Sequence, residues 1–149
     1  MPHADLPRLL RAALLSGAGA SLASAIVLAM RGRRELGSAA TPLNGPSQWV
    51  WGRRAPFADG FSIRHTVAGY AVHHLAATFW AVGYEALRLR WKRFSAAAAT
   101  AATASLVDLK LTPPRLRPGF ERRLSGASIA MAYAAFAMGL AITARSRPR

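Results

Sequence analysis

The chain has no cysteine. That excludes disulfides, thiolate metal sites and cysteine nucleophiles, and it leaves the redox compartment open. Acidic residues are nearly as scarce: six Asp and Glu stand against twenty Lys and Arg, a formal net charge of +14. No HExxH or other clustered His/carboxylate motif occurs, and no nucleophile–base pair can be named, so the sequence leans away from an enzyme. The most informative absence is local. Asp, Glu, Lys and Arg are missing from Ala12 to Met30, from His65 to Tyr84 and from Leu124 to Ala144, stretches of 19, 20 and 21 residues.

Each of these stretches is close to the ~20 residues that a membrane-spanning helix needs. A fourth, Phe94 to Val107, holds only 14. The basic residues gather at the ends of the four segments, as they do where membrane helices stop. A soluble nucleic-acid binder of this charge would place Arg along one face of amphipathic helices. Here charge and apolarity are separated along the chain instead. The expected partners are therefore the lipid bilayer and anionic lipid head groups, at about 1 kcal/mol per basic residue near the surface, and not nucleic acid.

These patterns predict one all-α domain, an integral membrane four-helix bundle. Its spans are expected at about 9–30, 65–87, 94–109 and 124–144, with one long interfacial loop over 31–63. A cleaved signal peptide competes for the N-terminus, because Arg8 and Arg11 precede an apolar run containing Ala23-Ser24-Ala25. The run continues through Ile26-Val27-Leu28 and outlasts a usual signal core, so it reads as a span. In that span Ser16, Ala20 and Ser24 share one helical face, and Gly17, Ser21 and Ala25 share another. Small residues at this spacing let helix backbones approach closely. The loop carries Trp49 and Trp51, which favour the head-group zone. It is expected as an interfacial or re-entrant turn, or as a loop resting on the membrane.

Four spans place both termini and the 88–93 turn on one side, opposite the 31–63 and Pro-rich loops. Nine basic residues then fall on the first side and eleven on the second, a difference too small to set orientation.

The candidate polar residues follow from this layout. His65, His73 and His74 lie in or beside the second span, where ionisable groups are costly and default to a functional reading. Thr66, Tyr70, His73, Trp80 and Tyr84 fall near one stripe that can face the interior. His73 and His74 point about 100° apart, so they grip a single metal poorly. No cofactor is expected, and a metal or haem site on His65, His73 and His74 remains only the alternative. Asp108 ends the third span on the same side as His65. Asn44, Gln48, Arg117 and Glu121 come from loops on that side, so these residues form a candidate site for a head group, an anion or acid–base chemistry. The plain reading is that Asp108 pairs with Lys110 or a nearby Arg, and that Glu85 pairs with Arg88.

WVWG with its following basic pair, RHTVAGYAVHHLAATFWAVGYE, LTPPRLRPGFERRLS and AYAAFAMGLA together resemble a group of small bacterial inner-membrane proteins of unknown function. The likeness covers most of the chain from Pro42 to Ala141. It implies a multi-pass helical protein of the bacterial inner (plasma) membrane and transfers no functional residue. The expected function is a non-enzymatic membrane component, transporter- or channel-like or a complex subunit, with a homo-oligomer or a membrane-complex partner in view. The alternative is a membrane-embedded enzyme or a metal- or haem-binding protein.

Overall fold

The computed structural model describes residues 6–144, which are mostly helical, with no strand among them. Arg145, Arg147 and Arg149, expected to close the last span, lie outside the described residues.

Helix α1, Leu6–Leu36, carries its apolar stretch onward through Arg31, Gly32, Arg33 and Arg34. Arginine is a good helix former, so the charges that end the apolar run do not end the helix. Termination falls at Gly37, whose φ of +72° is the left-handed backbone that glycine supplies at a helix C-terminus. The next segment folds into two single-turn helices, α2 (Thr41–Asn44) and α3 (Gln48–Trp51), joined by a 3₁₀ turn at Gly45–Ser47. A wide turn at Ile63–Val67, capped by Ser62, leads into α4, Ala68–Leu87. Helix α5, Arg93–Leu106, runs into a second wide turn at Val107–Leu111. Pro113 and Pro114 then prevent further helix, since neither has an amide to donate. Helix α6, Gly126–Thr143, starts at Ser125, whose hydroxyl accepts from the Ser128 amide at 3.3 Å.

Helix α1 packs along α6 and α4, and α5 leans on α6. The contacts are made by small side chains. Nine of the twelve residues in the larger core cluster are alanine, with Tyr84, Phe136 and Leu140 filling the rest. All six of the small α1 residues singled out by spacing are buried. At the crossings the backbones nearly touch. A Cβ on Gly17 would stand 2.7 Å from the Thr78 Cα, and one on Gly139 would stand 2.6 Å from the Ala20 Cα.

Along α1 small polar residues face inward and large apolar ones outward. Ser21 and Ser24 are 0% and 2% exposed, while Leu22 and Ile26 between and beyond them are 56% and 50% exposed. Two helices, α1 and α6, are long and apolar enough to cross a membrane by length and composition. Four spans were expected, and α4 and α5 fall short of that standard for different reasons. Polar His73, His74 and Glu85 dilute α4. At 14 residues, α5 reaches about 21 Å, against a hydrocarbon layer of about 30 Å.

Candidate functional site

The 31–63 segment is exposed over much of its length, but one stretch of it is drawn into the protein. From Thr41 to Gln48 every residue except Leu43 is buried, wedged between the ends of the long helices. Asn44 holds it there. Its amide nitrogen donates to the carbonyls of Ala58 (2.8 Å) and Gly60 (2.9 Å), and its oxygen accepts from the Thr66 hydroxyl at 2.6 Å. The turn sits against α4 at Gly69, where any Cβ would collide with the Leu43 carbonyl. Gln48 donates to the Arg117 carbonyl at 2.5 Å, and the Trp49 indole donates to the Leu116 carbonyl at 2.8 Å. The two loops thus close one end of the bundle together. Trp51 donates to the Arg64 carbonyl, and the Arg64 guanidinium covers its ring at 4.7 Å.

Beneath this cap lies a cavity of about 60 Å³ between α1, α4, α5 and α6. Its walls are mostly apolar, and two polar pairs reach it. On one side His73 Nε2 meets the Ser24 hydroxyl at 2.9 Å, while the Ser21 backbone also holds the ring. On the other, the Tyr133 hydroxyl donates to Asp108 Oδ2 at 3.0 Å, and the Trp80 indole reaches the same carboxylate. An apolar pocket with a few convergent polar groups is the usual form of a small-molecule site.

The single polar cluster expected from the sequence is therefore two. His65, Asn44, Gln48 and Arg117 belong to the loop cap, where His65 Nδ1 faces the Ser47 hydroxyl at 3.2 Å, the Arg117 carbonyl accepts from Gln48 and its Nε donates to the Thr112 carbonyl at 3.1 Å. These contacts tie loops together. His73 and Asp108 belong to the cavity, with Glu121 near enough to act on Asp108 electrostatically. His74 turns away beside Tyr70, its Nδ1 buried without a hydrogen-bond partner. Among the described residues no three of His, Cys, Asp or Glu come together to hold a metal ion. The pairing of Asp108 with Lys110 or an arginine is replaced by the bond from Tyr133, because the carboxylate points inward. The Glu85–Arg88 pair does form, at 2.8 Å.

Sequence reasoning missed Ser24, read as a packing residue, and Tyr133, read as an aromatic among small residues. A tyrosine in a uniformly apolar segment needs a partner for its hydroxyl, and that requirement was the available signal. The Ser24–His73 contact has the spacing of a nucleophile and base. Yet Ser24 is mid-helix and its hydroxyl also donates to the Ala20 carbonyl at 2.8 Å. Neighbouring helical amides are committed to their own carbonyls and so supply no oxyanion donor. Comparison with known protein families, curated proteins and solved structures finds no match for this chain.

Proposed function

We propose that the chain is a multi-pass inner-membrane protein of a bacterium, a four-helix bundle with a non-enzymatic role. It acts as a transporter- or channel-like component whose cavity takes a small molecule. One observation carries this reading: Ala, Ser and Gly fill the interior while Leu, Ile, Met and Phe face outward along the long helices. Between helices in lipid there is little hydrophobic drive, and close packing of small residues replaces it. In water the same surface would be an aggregation hazard. Helix α5 and the turn after it reach Leu111, about 28 Å from Arg93, which nearly matches the layer once flanking arginines extend to the interface. The polar groups of α4 turn inward, where they do not meet lipid. Basic loop residues such as Arg53, Arg54 and Arg115 suit anionic head groups.

The lack of cysteine makes the topology directly testable. Single cysteines replacing Arg53, Arg90 and Arg115, one per variant, are labelled in oriented vesicles with an impermeant maleimide. Four spans place positions 53 and 115 on one side and 90 on the other. Labelling of all three from the same side would leave α1 and α6 as the only spans and overturn the bundle topology.

The Ser24–His73 contact supports a second reading, a membrane-embedded hydrolase. Ser24→Ala separates the two, since loss of a lipid-hydrolysing activity without loss of folding belongs to the enzyme alone.

A further inference from the structure

The acidic residues divide in a way that a charge of +14 makes unexpected. Glu35, Asp59 and Glu85 each hold an arginine, at 2.9, 2.8 and 2.8 Å. Asp108 and Glu121 hold no cation among the described residues, although Lys110 is two residues from one and Arg122 adjoins the other. One Glu121 oxygen, Oε2, is fully buried without a hydrogen-bond partner. Asp108 and Glu121 are each partly buried, and drawing a carboxylate from water without a counter-charge is costly.

The surroundings of Asp108 indicate what supplies that charge. Trp49, Trp80, Tyr133, Phe120 and Phe136 line the same cavity. Aromatic faces attract cations through their quadrupole, and methylated ammonium groups are held by cages of such rings. The Tyr133 hydroxyl orients the carboxylate but brings no positive charge to it. At about 60 Å³ the space suits a compact head of a few heavy atoms, the volume of about four waters.

We propose that this cavity is a binding site for a small organic ammonium group, with Asp108 as its counter-ion and Trp80, Tyr133 and Trp49 as its aromatic walls. The proposal rests on the ligand-binding reading above and names its ligand class. The ammonium can arrive as a free amine or as the head of a zwitterionic lipid such as phosphatidylethanolamine, and the chemistry of recognition is the same.

The test uses the full chain in detergent micelles, titrated with choline and with 3,3-dimethylbutan-1-ol, which replaces the charged nitrogen by carbon in the same shape. Tryptophan fluorescence reports binding, because Trp49 and Trp80 line the cavity. Choline is expected to saturate at a concentration at least tenfold lower than the neutral alcohol. Asp108→Asn is expected to remove that preference. Equal binding of the two, or no binding of either to the wild-type protein, overturns the proposal. That comparison needs no variant and stands even if Asp108→Asn fails to fold. To separate the sources, native mass spectrometry follows reconstitution in phosphatidylethanolamine or in phosphatidylglycerol. Retained phosphatidylethanolamine that choline displaces identifies the lipid head group, and choline binding without retained lipid identifies a free amine. A folded, detergent-requiring protein with no amine preference would end this proposal and leave the membrane topology standing.

Discussion

At the scale of single residues, the acidic side chains show how position sets chemistry. Glu35, past the apolar part of α1, gathers the start of α6. It accepts from the Ser128 hydroxyl, from the amide and hydroxyl of Ser125, and from the Arg31 guanidinium. The Ser128 bond leads in lowering its pKa from 4.5 to about 2, and partial desolvation opposes the change. A depressed folded-state pKa contributes stability that is full above about 4.5 and is lost as pH falls toward about 2. Thermal midpoints of the purified protein should therefore drop between those limits. Glu35→Gln should lower the midpoint at pH 7 and flatten the acid-side slope, with wild type and variant converging near pH 2. Parallel curves for the two proteins would show that Glu35 does not link α1 to α6 in this way. None of this was legible in the sequence, because Glu35 and Ser128 are 93 residues apart and only helix packing joins them.

Among elements, the decisive contacts are backbone to backbone. Gly139 on α6 faces the Gly19 carbonyl and the Ala20 backbone of α1, and its Cβ would stand 2.5 Å from that oxygen. Gly139→Leu should push the helices apart and cost about 1–3 kcal/mol or more, as overpacked sites do. Gly83, on an exposed face of α4, has nothing within 4 Å of its Cβ position. Gly83→Ala should be neutral or stabilise by about 0.5–1 kcal/mol through chain entropy. Denaturation of both variants in the same detergent checks the pair, and a larger loss at 83 than at 139 would contradict the packing. The small-residue faces of α1 were readable from spacing, because a repeat every three or four residues marks one side of a helix. Burial of the 41–48 turn was not. Its prolines and glycine, with Trp49 and Trp51 just beyond, signal a turn near an interface, but its placement depends on Asn44 reaching carbonyls 14 and 16 residues ahead.

For the molecule as a whole, the tryptophans mark where water begins. Trp49 and Trp51 sit at the end closed by the loops, half exposed, with both indole nitrogens bonded to backbone carbonyls. Trp91 follows α4 and is half exposed as well. In lipid, such rings belong at head-group depth. In vesicles of brominated lipid, acyl chains brominated near the head group should quench tryptophan fluorescence more strongly than chains brominated near the bilayer centre. The opposite order would place these residues in the hydrocarbon and remove them as markers of the interface.

The sequence by itself determined the all-helical class, the four apolar stretches with arginine at their ends, and the α1 face of small residues. Those features are local, because each is a matter of composition or of period along a few turns. Tertiary structure alone decided that Tyr133 meets Asp108 and that Ser24 meets His73, pairs 25 and 49 residues apart. Which groups face each other across a cavity depends on how far each helix is rotated and where it crosses its neighbours. Contacts such as Gly17 with Thr78 and Gly139 with Ala20 set those rotations.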